Sequence, residues 1–263
     1  MKRVRKKFTI VGNWKMNPDT LEEAKKLFSA VSRKTANNPK VAVVVAPPAP
    51  FMLALSGKKT GRKTDRKIRP AAQDVSGETR GAHTGSASAR QLRSAGAEYA
   101  IVGHSERRAA GDNDQIIAKK ITQALDAGLR VILCVGEKER DNHARYLREV
   151  REQITGALSS QTKNKIQWVT VAYEPVWEVG RNFDVVLAPA LIHEMAIYIK
   201  KSVAEIFGKK QALRLPVLYG GSLNSENAEN ILKDASIDGL LVGRQSLDPD
   251  TFGKIIEYAN ELS

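Results

Sequence analysis

Three residues of this chain carry groups suited to moving a proton beside a carbonyl: Glu174, His104 and Lys15. A carboxylate can take a proton from carbon, while an imidazole and an ammonium stabilise the oxyanion that develops. Each stands just after a short apolar run: Lys15 after the run entering Gly12-Asn13-Trp14, His104 after Tyr99-Ala100-Ile101-Val102, and Glu174 after Val169-Thr170-Val171-Ala172-Tyr173. Pro175 disfavours the helical region at the residue before it, so Glu174 sits on a stiff, extended chain. Plainer readings stand beside these. Glu174 is equally readable as half of a structural ion pair with Lys15 or Arg107, His104 as a core histidine bonded to backbone, and Lys15 as a surface cation. Glu106 and Arg107 read as a supporting ion pair. A second kind of equipment is the glycine turns Gly220-Gly221-Ser222 and Gly243-Arg244, whose exposed backbone N–H groups suit a phosphate.

The elements that must position these groups follow from the alternation of the sequence. Apolar, β-branched runs at 8–13, 41–46, 68–72, 99–102, 130–135, 167–173, 215–219 and 238–242 predict eight strands. Amphipathic stretches lie between them. One starts at the capping-box pattern Thr20-x-x-Glu23, another ends before Gly128, and the last follows Asp248 with Pro249 at its first position. Continuous apolar strands indicate a parallel sheet covered on both faces. The expectation is a single (β/α)8 barrel of eight parallel strands spanning 1–263, with its site at the carboxyl ends of the strands. A doubly wound dinucleotide fold would need a glycine-rich first turn, and Gly12-Asn13-Trp14-Lys15 is not one.

Composition excludes several classes. Cys134 is the only cysteine, which rules out an internal disulfide, and its apolar run reads as a buried strand. His83, His104, His143 and His193 are scattered, so no zinc site is expected; His83, His143 and His193 read as structural. No metal or cofactor is expected. No apolar run is long enough to span a membrane, and the N-terminus lacks a signal-peptide pattern, so a cytoplasmic protein is expected. The net charge of +13 is concentrated at Lys2–Lys7 and at 57–69. The second stretch lacks interleaved aromatics, so it reads as a solvated loop, and no nucleic-acid partner is expected.

The segments GNWKMN (12–17), AQDVS (72–76), GAHTG (81–85), IVGHSERR (101–108), LCVGE (133–137), AYEPVW (172–177), YGGS (219–222) and DGLLVG (238–243) together resemble the triosephosphate isomerase family over nearly the whole chain. The resemblance implies interconversion of glyceraldehyde 3-phosphate and dihydroxyacetone phosphate without cofactor or metal. It implies Glu174 as the base, His104 as a neutral electrophile, Lys15 as positive charge and Asn13 as a polarising amide. Glu106 and Ser105 are implied as supporting residues, with Glu106 holding Lys15. Gly180, Ser222 and Gly243 are implied as phosphate-binding positions, and the loop around Thr84 as a homodimer contact.

The chain departs from the family in four places. The lid segment 178–188 is about two residues longer and lacks a second tip glycine, leaving Gly180. Arg244 stands where a small residue is usual; it either crowds the phosphate site or adds a charge-assisted contact to the phosphate, and the second is the expectation. His83 and Ser86 replace an aromatic and a glutamate in the dimer loop. The basic stretch 57–69 is longer than usual. Two other function classes fit parts of the pattern: a non-catalytic phosphate-sugar binder, and an aldolase-type barrel using Lys15 as a Schiff-base amine. Neither gives Glu174 a role.

Overall fold

The computed structural model describes residues 8–57, 68–178 and 187–263. Eight strands follow the chain in order: β1 (Thr9–Asn13), β2 (Ala42–Ala46), β3 (Ile68–Ala72), β4 (Tyr99–Val102), β5 (Arg130–Val135), β6 (Val169–Tyr173), β7 (Val217–Tyr219) and β8 (Gly239–Val242). Every neighbouring pair is parallel, and β1 pairs with β8, Ile10 opposite Leu240, so the sheet closes into the expected barrel.

Side chains alternate across each strand. Val11, Val44, Ile101, Ile132, Cys134 and Leu218 fill the barrel interior. Their neighbours Ile10, Val43, Val102, Val131 and Val171 face outward and join the core beneath the helices. This double burial is why the strand runs are continuously apolar rather than alternating.

Helices cover the outside, and their ends are set by local chemistry. Helix Leu21–Ala36 opens on the predicted capping box: the Glu23 N–H donates to the Thr20 hydroxyl at 3.2 Å, and the Thr20 N–H donates to the Glu23 carboxylate at 3.1 Å. Helix Asp114–Asp126 ends before Gly128, whose φ of 76° is the left-handed conformation that stops a helix. Helix Pro249–Glu261 starts after Asp248, which caps the Thr251 N–H.

β1, β2 and β8 start one residue later than the sequence predicts, and β6 and β7 two residues later. Residues Ile166–Trp168 form a 3-10 turn, so β6 opens at Val169. β7 opens at Val217, because Pro216 has no N–H to give the ladder. The N-terminal basic cluster, the basic run 58–67 and residues 179–186 of the lid segment, with Gly180 among them, lie outside the described residues. Among the described residues, no helix is long and apolar enough to cross a membrane.

Candidate active site

The carboxyl ends of β1, β4, β6, β7 and β8 converge on one cleft of about 230 Å3. Asn13 and Lys15 enter it from β1, His104 from the turn after β4, and Glu174 from the end of β6. Ser222, Gly243 and Arg244 border it from the turns after β7 and β8. The acid, the imidazole, the ammonium and the glycine turns therefore share one wall-lined space.

Glu174 is only 3% exposed. Its backbone N–H donates to the Val135 carbonyl at 2.8 Å, which extends the β5–β6 ladder up to the cleft. Two glycines make room for it. A Cβ on Gly136 would lie 1.8 Å from the Glu174 carbonyl oxygen, and one on Gly220 would lie 2.8 Å from the Glu174 Cγ. One carboxylate oxygen, Oε1, is 3.5 Å from His104 Nε2. The other, Oε2, is buried with no hydrogen-bond partner among the described residues, and the carboxylate also meets the Cys134 thiol. A buried carboxylate oxygen without a donor is costly unless something in the cleft supplies one. Glu174 pairs with neither Lys15 nor Arg107.

His104 caps the short helix Ser105–Ala109, and its Nδ1 accepts the Glu106 N–H at 3.2 Å. Accepting an amide proton requires a lone pair at Nδ1. The neutral ring therefore carries its proton on Nε2, the nitrogen that faces Glu174.

Lys15 adopts a φ of 53°, a strained conformation for a residue with a side chain. Hydrogen bonds hold it there: its N–H donates to Asn13 Oδ1 at 3.1 Å, and its carbonyl accepts from Gln73 Nε2 at 2.7 Å. Its Nζ donates to Glu106 Oε1 at 2.6 Å. Partial burial opposes ionisation of Glu106, but the hydrogen bond and charge of Lys15 outweigh it and hold that carboxyl below its ordinary value.

The predicted Glu106–Arg107 pair does not form. Adjacent residues on a helix point in different directions. Glu106 reaches Lys15, while Arg107 Nε reaches Asp74 at 3.0 Å and Asp112 at 3.5 Å, beside the buried Lys120 that binds the same two carboxylates. Ser105 opens the helix behind His104 and does not line the cleft. Cys134 lies in the barrel interior, where burial first and the Glu174 carboxylate second push its thiol well above the ordinary value. It remains a protonated, inert thiol. His193 Nδ1 lies 3.2 Å from the Ala235 carbonyl, away from the cleft.

Two buried glutamates escaped the sequence reading. Glu137 accepts the Tyr173 hydroxyl and the Trp177 indole N–H, both at 2.9 Å, and so pins the chain on either side of Glu174. Glu178 accepts the Tyr219 hydroxyl at 2.6 Å and the Leu187 N–H at 3.0 Å, while its carbonyl accepts from Ser222 Oγ at 2.9 Å. It ties both flanks of residues 179–186 to the end of β7. Burial, only partly offset by these donors, raises its carboxyl above the ordinary value. The available signal was a pair of tyrosines at strand ends, Tyr173 and Tyr219, whose buried hydroxyls need acceptors.

Residues 8–259 match the family model described as triosephosphate isomerase. The chain belongs to the triosephosphate isomerase family. A triosephosphate isomerase of Treponema pallidum is 38% identical over 248 residues, covering 93% of this chain and 96% of the relative. One of Coprinopsis cinerea is 36% identical over 246 residues, covering 92% and 94%. A crystal structure of the Bartonella henselae triosephosphate isomerase superposes with a TM-score of 0.81 at 30% identity, over 96% of this chain and 98% of that one. As a triosephosphate isomerase family member, the chain is an isomerase on a (β/α)8 barrel.

Proposed function

We propose that this protein interconverts D-glyceraldehyde 3-phosphate and dihydroxyacetone phosphate, a step of glycolysis and gluconeogenesis, in the cytoplasm. The observation that carries the reading is Glu174: buried at the end of β6, lining the cleft, and 3.5 Å from His104 Nε2.

Glu174 removes a proton from the carbon beside the carbonyl. The electrons move onto the carbonyl oxygen and give an enediolate. His104, neutral and protonated at Nε2, donates a hydrogen bond to the substrate oxygens. Lys15 and Asn13 stabilise the developing charge, and Glu106 holds the Lys15 ammonium in place with Ser105 behind it. The hydroxyl proton on the second carbon's oxygen passes to the first carbon's oxygen through His104, and Glu174 returns its proton to the first carbon, so the aldose becomes the ketose without net change in atoms or electrons. The substrate phosphate is held by the backbone at Ser222 and Gly243, together with Gly180. The Lys15–Glu106 ion pair favours this role over a Schiff-base role for Lys15, which needs an uncharged amine. A coupled assay on glyceraldehyde 3-phosphate tests the reading, with Glu174→Gln as the comparison. No turnover by the parent protein sinks it.

The same reading makes the protein a homodimer through the loop around Thr84. Supporting it, Thr84 and Gly85 are exposed, and Gly85 borders a second hollow shared with Lys15 and Glu106, so a neighbour docked there would adjoin the site. Sedimentation velocity is expected to give twice the chain mass. A species of single-chain mass at micromolar concentration overturns the dimer.

A further inference from the structure

Without Arg244, the side-chain charges around the cleft sum to a negative value, which opposes entry of a phosphorylated substrate. Among the described residues that line it, the charged side chains are Lys15, Glu174 and Arg244. Lys15 is already matched at 2.6 Å by Glu106. Glu174 brings a negative charge of its own, and a phosphate monoester carries about −1.5 to −2 near neutral pH. Without a further cation, the substrate dianion would enter a space whose side chains sum to a negative charge. Arg244 is the lining cation that no carboxylate among the described residues pairs with.

Arg244 is also well placed to act. It opens the 3-10 turn Arg244–Leu247, directly after β8. That turn is fastened to the end of β1. Ser246 Oγ donates to the Gly243 carbonyl at 2.7 Å, and Ser246 packs so closely on Gly12 that a Cβ there would lie 3.0 Å from the Ser246 Cβ. A Cβ on Gly243 would lie 3.8 Å from Lys15 Cε. The backbone before Arg244 therefore runs beside the catalytic ammonium, while the Arg244 side chain itself is exposed at the rim. A guanidinium presents a planar fork of donors that matches two phosphate oxygens at once.

We propose that Arg244 is a substrate-binding residue that clamps the phosphate and supplies a cation not already matched by a carboxylate. The proposal rests on the isomerase reading and deepens it. Phosphate is held by backbone N–H groups and by one guanidinium, so this protein binds its substrate more strongly through charge than an amide cradle alone permits. Because the phosphate does not change during proton transfer, Arg244 contacts ground state and transition state alike. Its removal should then raise KM more than it lowers kcat.

The test uses the full-length protein and the variants Arg244→Ala, Arg244→Gln and Arg244→Lys, each checked for an unchanged circular-dichroism spectrum. A charge-assisted contact at an exposed rim is expected to be worth about tenfold in affinity. R244A and R244Q should raise KM for glyceraldehyde 3-phosphate by about tenfold, weaken competitive inhibition by inorganic phosphate in parallel, and show a smaller change in kcat. R244K should recover part of both losses. The proposal is overturned if KM and phosphate inhibition stay within about twofold of the parent, if kcat falls while KM does not, or if R244A binds phosphate more tightly, which would mean that Arg244 crowds the site. Calorimetric titration of inorganic phosphate into the parent and R244A separates this inference from the reading beneath it. An inactive parent that still loses phosphate affinity on R244A removes the isomerase reading and keeps the clamp.

Discussion

At the scale of single residues, the decisive group is Glu174, and what distinguishes it is its place: buried, yet lining the cleft and 3.5 Å from His104 Nε2. The structural glutamates are fastened to the protein: Glu178 takes the Tyr219 hydroxyl on one oxygen and the Leu187 N–H on the other, and Glu137 takes the Tyr173 hydroxyl and the Trp177 indole N–H on its Oε1. Glu174 Oε2, like Glu137 Oε2, is buried with no hydrogen-bond partner among the described residues, but Glu174 is the one of the two that lines the cleft. A carboxylate that borders the cleft and is not fastened by an N–H or O–H donor is available to a ligand. Glu174→Gln keeps the shape and removes the ability to take a proton. Turnover is expected to fall by roughly 10²–10⁴, with a smaller change in KM, measured by the coupled assay in the isomerising direction. Equal kcat in the two proteins would refute the base. The position of Glu174 was legible because a proline follows it at the end of an apolar run. The partner of Glu106 was not. Its sequence neighbour Arg107 looked closest, yet helical geometry turns the two apart and sends Glu106 to Lys15, ninety-one residues away in the chain.

At the scale of elements, the catalytic geometry depends on how closely strand ends approach one another. β6 delivers Glu174 between the turn after β5 and the turn after β7, and glycines at both turns leave the space. Gly220 has an ordinary backbone conformation, so alanine is acceptable to the chain but not to its neighbour. The added methyl would lie 2.8 Å from the Glu174 Cγ and 3.3 Å from its Oε1, closer than carbon contacts normally come. Gly220→Ala is therefore expected to displace the carboxylate rather than unfold the barrel. A shift of the base by a fraction of an ångström to about 1 Å costs up to about 10² in rate. The measurement is kcat beside the thermal midpoint: a large loss of turnover with a small loss of stability supports steric displacement, and full turnover would show that the carboxylate yields freely. Sequence periodicity located all eight strands because each buries both faces. It placed the starts of β6 and β7 too early, because Trp168 and Leu215 are as apolar as the strands they precede. Only the 3-10 turn and Pro216, which lacks a ladder donor, separate them. The clasp of Glu178 on both flanks of residues 179–186 was invisible for a different reason: it joins β6 to β7 through hydroxyls and amides that no spacing rule brings together.

At the scale of the whole molecule, the strongest remaining property is charge. The net charge of +13 gives this protein a positive field for a substrate that is a dianion. Surface charges act on an approaching anion over roughly a Debye length, about 10 Å at 0.1 M salt, and are screened beyond it. Only a fraction of the basic groups can touch the substrate, so most of them can influence encounter but not chemistry. The two contributions separate experimentally. Sodium chloride should lower kcat/KM several-fold as ionic strength rises from about 0.02 M to about 0.2 M, while kcat changes little, because screening weakens association and leaves the bound complex alone. R244A removes one charge at the point of contact. Its kcat/KM should begin lower and still decline with salt, since the rest of the field is intact. A salt-independent kcat/KM in the parent would mean that the excess of lysine and arginine serves something other than capture of the substrate. A slope abolished by R244A alone would assign the whole electrostatic effect to that one residue.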